Sequence, residues 1–129
     1  MNTLVAIMIG GGIGAVCRHW LFVGVQRFAG PVFPAGTMAV NLLGCLLIGL
    51  LWGLSEHSHV GEGLRLFLFT GFLGGFTTFS TFGRETAQLI RVGEWATALS
   101  YVALSNLGGI LLVMAGFALA AKLLALLGR

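Results

Sequence analysis

Four long stretches of the chain carry no charged residue, and short charged segments separate them. The uncharged runs are residues 2–17, 28–55, 66–83 and 95–121. A helix of about 20 apolar residues crosses the hydrocarbon core of a bilayer, and the second and fourth runs exceed that length. The first run reaches it when the helix continues past Arg18 to Val25, and the third when the helix extends from Gly63 to Ala87. The pattern predicts four transmembrane helices, at about 3–25, 33–54, 63–87 and 95–124, in a single domain that spans residues 1–129.

The composition agrees with a membrane protein. Of 129 residues, 57% are hydrophobic and only 9% are charged, whereas soluble domains carry about 25% charged residues. So few charges cannot cover the surface of a soluble domain. We therefore predict an all-α integral membrane protein, multi-pass in the inner or plasma membrane of the cell. No basic stretch precedes the first apolar run and no Ala-x-Ala site ends it, so we expect no cleaved secretory signal.

The Lys and Arg residues are divided almost evenly between the two ends of the predicted helices. The side with both termini and the second loop carries Arg65, Lys122 and Arg129; the other side carries Arg27, Arg84 and Arg91, and also Arg18 if it faces that end. Orientation depends on an excess of positive charge on the cytoplasmic side, and three against four is almost no excess. The chain is therefore expected to insert both ways, which permits an antiparallel, dual-topology dimer. The basic residues form no cluster of the kind that nucleic acid requires.

Small residues predict close contacts between the helices. Three pairs of glycines are spaced four residues apart: Gly10 and Gly14, Gly49 and Gly53, and Gly71 and Gly75. This spacing lets transmembrane helices approach closely. Cys17 and Cys45 lie in predicted spans without ligand-like spacing, and we interpret them as small packing residues. His57 and His59 permit a metal site, but their segment is more typical of a solvated loop.

Polar side chains inside the predicted spans are the strongest indication of function, because each is costly in lipid unless it is satisfied. They are amides and hydroxyls: Thr37, Asn41, Thr70, Thr77, Thr78, Ser80, Thr81, Ser100, Ser105 and Asn106. No Asp, Glu or Lys lies deep in any predicted span, which disfavours a proton-coupled antiporter. The chain also lacks the nucleophile–base pair or metal-ligand set that would predict an enzyme.

The segment TGFLGGFTTFSTFGRE, residues 70–85, alternates aromatic rings with hydroxyl groups. Phe79 and Phe82 are three residues apart and share a helix face, as do Tyr101 and Ser105, four apart on the last helix. The positive edge of a phenyl ring can stabilise an anion, and amides and hydroxyls donate hydrogen bonds to it. Such a neutral lining suits conduction, since an ion must be able to leave. The alternative is that the rings only pack against neighbouring helices.

Two glycines before the threonine pair predict a break in the third helix, near residues 74–78. Glycine at that depth can interrupt a helix, and the freed carbonyl groups must then be buried or bound. Broken membrane helices often hold a cation with such carbonyls. A cation at the centre of a dimer is one possibility, which the composition alone leaves open.

These residues match a known family, because the chain resembles the CrcB/Fluc fluoride channels over essentially its whole length. The matching stretches are GGGIGAVCRHW (10–20), PAGTMAVNLLGCLLIG (34–49), GFLGGFTTFSTFGRE (71–85) and, more loosely, YVALSNLGGILLVMAGF (101–117). The resemblance implies an antiparallel dimer with two pores that export cytoplasmic fluoride passively, driven by the membrane potential. Besides the lipid bilayer, it implies fluoride, sodium and a second copy of the chain as partners.

The resemblance also implies roles for particular pore residues. Phe79 and Phe82 resemble the pair of rings that lines the pore, and Asn41 resembles the pore asparagine of the second helix. Tyr101 and Ser105 fall on the polar track of the last helix.

Further roles follow from the same resemblance. The carbonyls of Gly74 and Thr77 resemble a structural sodium site at the dimer centre, to which both copies contribute. Arg18 resembles an arginine of the pore vestibule. The remaining candidates are possible polar contacts only: Thr78, Ser80, Thr81 and Glu85.

The chain departs from the family pattern at several positions. They are Gly83, where Ser is frequent, His19, where an aromatic or apolar residue is frequent, and Gly109 and Val113, where the polar track continues with Ser and Thr. Asn106 compensates in part, although it is expected to lie one residue off that face. The departures concern the polar track and leave Asn41 and the two rings in place.

Two other classes of protein have a comparable size. A small multidrug resistance antiporter needs a carboxylate midway along its first helix, and residues 3–24 contain none. A non-transporting membrane scaffold would have no use for Asn41 and the hydroxyl–aromatic repeat in its interior. Both alternatives are therefore disfavoured.

Overall fold

The computed structural model describes residues 2–128 and contains, within that range, helices and no strand. Helix α1 is Thr3–Ala29, α2 is Ala35–Glu56, and the last helix, α6, is Trp95–Leu126. Together with a third span, Glu62–Arg91, these are four helices long and apolar enough to cross a membrane. The predicted all-helical fold with four spans is therefore confirmed. Met1 and Arg129, the latter counted in the predicted charge balance, lie outside the described residues.

The third span is assembled from several helical pieces. It begins as α3, Glu62–Arg65, continues as a π-helix, Leu66–Leu73, and ends its first half with α4, Gly74–Phe76. Two extended residues follow, Thr77 at φ −84° and ψ 158° and Thr78 at φ −149° and ψ 110°, before α5, Phe79–Arg91. We call Thr77 and Thr78 the break. It lies where the glycine and threonine pairs predict it.

Glycines bring the helices into backbone contact. A methyl group on Gly71 would lie 2.9 Å from the Ile7 carbonyl oxygen of α1, and one on Gly116 would lie 2.5 Å from the Leu46 carbonyl oxygen of α2. These distances are well inside ordinary van der Waals contact, so both interfaces need glycine. Five of the six glycines of the predicted pairs lie at backbone contacts of this kind, and a methyl group on Gly53 would lie 2.7 Å from the Ala120 side chain, so the predicted close packing is confirmed.

A side chain from α1 organises the loop that leads into α2. Gln26 donates from Nε2 to the carbonyl oxygens of Gly30 at 2.8 Å and Phe33 at 3.1 Å, and its Oε1 accepts the Gly36 N–H at 2.9 Å. The loop turns at Gly30, whose φ is +75°, a value that favours glycine. These hydrogen bonds fix where α2 begins and therefore where its polar residues lie along the helix bundle.

The outer surface is largely apolar, as expected for a protein whose solvent is lipid. Among its exposed large side chains are Trp20, Phe79 and Leu111, at 71%, 80% and 68% exposure. Phe79 differs from the others because it directly follows the break.

Candidate functional site

The break in the third span is held by a single side chain from α2. Thr78 donates its backbone N–H to Asn41 Oδ1 at 2.8 Å, and Asn41 Nδ2 donates back to the Thr78 carbonyl oxygen at 3.0 Å. The amide thus pairs with both backbone groups of one extended residue, as a neighbouring strand would. This pairing also fixes which end of the amide is nitrogen, because only Nδ2 can donate to a carbonyl.

The hydroxyls of the break satisfy other backbone groups. Thr77 Oγ1 donates to the Leu73 carbonyl oxygen at 3.0 Å. Thr78 Oγ1 accepts the N–H of Thr81 at 3.3 Å and so caps the N-terminus of α5. It also contacts the hydroxyls of Thr81 at 3.0 Å and Ser80 at 3.3 Å. The predicted polar contacts at Thr78, Ser80 and Thr81 therefore lie within the third span itself.

The carbonyl groups of Gly74 and Thr77 are among those that lose their helical partners at the break. In a continuous α-helix the Gly74 carbonyl accepts the N–H of residue 78, and the Thr77 carbonyl accepts that of residue 81. Here the Thr78 N–H donates to Asn41 and the Thr81 N–H donates to the Thr78 hydroxyl. Both freed oxygens belong to residues predicted to hold sodium. A carbonyl oxygen that has lost its N–H partner is the type of ligand that a hard cation requires.

An open cavity of about 390 Å³ lies beside the break. Among its lining residues are Asn41, Phe79, Phe82 and Ser105, so four of the five predicted pore residues are brought together. The others are Gly44, Cys45, Ile48, Phe69, Leu73, Gly74, Thr77, Thr78 and Asn106. None of the described residues that line it is charged. The Ser105 hydroxyl oxygen is buried and has no hydrogen-bond partner within residues 2–128.

Aromatic rings form a continuous row from the cavity into the protein interior. The Phe79 and Phe82 rings have centroids 5.6 Å apart, and Phe82 and Tyr101 have centroids 5.1 Å apart. Phe33 then meets Tyr101 edge-on at 5.9 Å. Phe79 is 80% exposed, whereas Tyr101 is fully buried. The two phenylalanines thus share one face, as their spacing predicts.

Tyr101, the fifth predicted pore residue, lies behind this cavity. Its hydroxyl donates to Glu85 Oε2 at 2.8 Å, and Thr37 Oγ1 donates to Glu85 Oε1 at 2.9 Å. Thr37 is 1% exposed. Three helices, α2, α5 and α6, therefore meet at one carboxylate that two neutral hydroxyls satisfy. The sequence indicated Glu85 only as a possible polar contact and gave no role to Thr37.

The Glu85 carboxylate borders a second cavity, of about 290 Å³, at the start of α2. Other polar residues that line it are Gln26, Arg84 and Gln88. Gln26 was missed by the sequence analysis, since a single amide near the end of a helix gives no signal. Arg18, the predicted vestibule residue, is partly buried on α1 and lines neither cavity.

The histidines near the end of α2 lie elsewhere in the protein. His57 Nδ1 is 3.2 Å from the Gly53 carbonyl oxygen, so the ring contacts the C-terminal end of its own helix. Within residues 2–128, no three His, Cys, Asp or Glu side chains are grouped closely enough to hold a metal ion.

The fold and the cavity define a class of protein: a multi-pass membrane protein with a broken helix beside an uncharged, partly aromatic cavity. The particular family follows from comparison with known sequences. The family model described as "CrcB-like protein, Camphor Resistance (CrcB)" matches residues 5–117. The chain belongs to this family.

Curated relatives match over nearly the full length of both chains. A protein of Desulfotalea psychrophila is 45% identical over 121 residues, which is 94% of each chain. One of Phocaeicola vulgatus is 44% identical over 116 residues, covering 90% of this chain and 96% of the relative. One of Chloroflexus aurantiacus is 45% identical over 120 residues, covering 92% and 95%. All three are named "Fluoride-specific ion channel FluC", so the family is one of ion channels and not of enzymes.

Proposed function

We propose that this chain is a fluoride-specific ion channel through which cytoplasmic fluoride leaves the cell passively. The observation that carries the proposal is the cavity beside the break, which gathers Asn41, Phe79, Phe82 and Ser105 without a charged side chain among its described lining. The names of the relatives support fluoride as the ion.

The lining supplies donors suited to a small, strongly hydrated anion. Asn41 uses one Nδ2 hydrogen on Thr78, and its second remains for a ligand. The Ser105 hydroxyl has no competing partner in the described chain and is free to donate. The edges of Phe79 and Phe82 add positive potential without a full charge. These donors can replace the water around the ion step by step, and because no fixed cation is present in the lining, the ion can still leave.

The channel is proposed to be an antiparallel dimer of identical chains. Phe79 is 80% exposed although it borders the cavity, so a second chain would be needed to enclose the path. The near-balanced distribution of Lys and Arg supports insertion in both orientations. In such a dimer each copy completes the pore lining of the other.

A structural sodium ion at the dimer centre is part of the same proposal. The residues fit the ion, because the carbonyls of Gly74 and Thr77 have both lost their helical N–H partners. Two copies would offer four such oxygens, which are typical ligands for sodium at broken membrane helices. The bound ion would supply positive charge that offsets the partial negative charges of these carbonyl oxygens, and it would hold the two breaks together.

The proposal is tested by fluoride efflux from liposomes that contain the purified protein, with a fluoride electrode as the readout. Valinomycin is added because it carries potassium across the membrane and so dissipates the voltage that fluoride efflux creates. Chloride-loaded liposomes provide the selectivity control. We expect fast, valinomycin-dependent fluoride efflux without chloride leak. Phe82→Ile should abolish most of this efflux, whereas Phe28→Ile, at a side chain 91% exposed and outside the cavity, should not.

Each outcome has a separate meaning. A wild-type protein that releases neither ion would contradict the channel function. Normal efflux through Phe82→Ile would contradict the role of the rings alone. Size-exclusion chromatography of each variant verifies that assembly is unchanged.

A further inference from the structure

The face of α6 that was expected to continue the polar track is closed by packing. A methyl group on Gly109 would lie 3.2 Å from Cys45 Sγ, and Gly109 itself is buried. One turn further, the Val113 carbonyl oxygen lies against Gly49 of α2. Beyond Ser105, this face of α6 is therefore pressed against α2 and offers an ion neither space nor hydroxyls.

Asn106 lies beside that closed face and is exposed in the cavity. It lines the same space as Asn41 and Ser105, although it lies one residue off the face that carries Tyr101 and Ser105. Its Nδ2 donates to the Val102 carbonyl oxygen at 2.8 Å, one turn back on its own helix. This bond fixes the nitrogen end of the amide and leaves one N–H without a partner in the hydrogen bonds of the described chain.

The two asparagines of the cavity are held by the same kind of hydrogen bond. In each, one Nδ2 hydrogen is held by a backbone carbonyl, Thr78 for Asn41 and Val102 for Asn106, and the second hydrogen remains. Wherever the nitrogen is pinned in this manner, the amide presents a donor at a fixed position. An anion can use such a donor, and a cation cannot.

We propose that Asn106 is a further ion-contacting residue of the conduction path, an amide donor that replaces the missing hydroxyls at Gly109 and Val113. The inference rests on the proposed fluoride channel and adds a residue to it. It also explains how a path without hydroxyls at these two positions can remain polar: the track changes from the closed face of α6 to the adjacent one.

The test measures unitary fluoride currents in planar bilayers for Asn106→Leu, which has nearly the same size and no donor, and for Asn106→Gln, which retains the amide. Ser100→Ala is the matched control, since Ser100 is an exposed polar residue of the same helix outside the cavity. We expect the Leu variant to lower the unitary current about ten- to a hundredfold, as for a lost hydrogen bond to an ion. The Gln variant should retain a measurable part of it, and the control should equal wild type.

A unitary current is the current through one assembled channel. If Asn106 had a purely structural role, its replacement would therefore change the number of channels and not the current through each of them. If Asn106→Leu does not assemble, Asn106→Asp, which keeps the shape and presents a carboxylate, is expected to block the current in its place. A wild-type unitary current in Asn106→Leu, or in Asn106→Asp where the Leu variant does not assemble, would overturn this inference alone. Absence of fluoride current in the wild-type protein would overturn the proposed function and the inference together.

Discussion

Replacing Asn41 by Ala should destabilise the protein as well as impair conduction. The side chain pairs with both backbone groups of Thr78, at 2.8 and 3.0 Å. Its removal leaves the Thr78 N–H without a partner and takes one hydrogen bond from the Thr78 carbonyl. No helical bond can replace it, because Thr78 has extended dihedral angles and already caps α5 with its hydroxyl.

The size of the effect follows from the number of bonds and their surroundings. Hydrogen bonds between membrane helices contribute on average about 0.6 kcal/mol and at most about 1.7 kcal/mol each. Two bonds lost together therefore predict a decrease of about 1–3 kcal/mol in the free energy of unfolding. The lower half of this range applies if water from the open cavity reaches Thr78, since water would satisfy part of the freed groups.

The free energy of unfolding can be measured by SDS titration in mixed micelles, with the fluorescence of the three tryptophans as the signal. Ser105→Ala is the matched control, because it removes a polar group of the same cavity whose oxygen has no partner within residues 2–128. We expect the control to change stability by less than about 0.5 kcal/mol, as is usual where no specific contact is lost. If Asn41→Ala were as stable as the control, the bridging role of Asn41 would be refuted.

Two further predictions concern packing and the partly buried carboxylate of Glu85. Gly116→Ala should lower the free energy of unfolding by about 1–3 kcal/mol, the usual cost of overpacking, because the new methyl group would lie 2.5 Å from the Leu46 carbonyl oxygen. In the same SDS titration the control Gly83→Ala, whose methyl group would meet no atom within 4 Å, should be at least as stable as wild type. Tyr101→Phe keeps the aromatic packing but removes one of the two hydroxyls that bind Glu85. We therefore expect the free energy of unfolding to fall by about 1.5–3 kcal/mol, which is typical of a hydrogen bond to a charged group. An SDS titration curve equal to that of wild type would argue against this bond.

The sequence was sufficient for the features that depend on local pattern. Uncharged runs located the four spans, because the length of an apolar run and the thickness of a bilayer are directly related. The predicted ends differ from those of the helices by at most four residues, 25 against 29 for α1 and 87 against 91 for α5. The helices continue past the last apolar residues, where hydropathy gives no signal.

The sequence was insufficient where several helices meet. The spacing of Tyr101 and Ser105 correctly places both on one side of α6, yet only Ser105 lines the cavity. Tyr101 lies deeper because Glu85 of α5 accepts its hydrogen bond, and no pattern within α6 encodes that partner. Asn106 shows the same limit: the sequence places it one residue off the face of Tyr101 and Ser105, and only the packing of Cys45 of α2 against Gly109 shows which neighbouring face borders the cavity.

The hydrogen-bond donors of the cavity differ in how firmly they are held, and this difference bears on selectivity. The amide of Asn41 is fixed at both ends by Thr78, so it cannot rotate to present its oxygen. The Ser105 hydroxyl, which has no partner among the described residues, can turn toward an approaching anion. In the proposed channel the fixed donor, Asn41, needs no reorientation when the ion arrives, whereas the rotating hydroxyl of Ser105 can follow the ion as it moves on. A neutral lining that combines both can bind fluoride closely enough to replace its water and still release it, which a fixed charge at the same place would prevent.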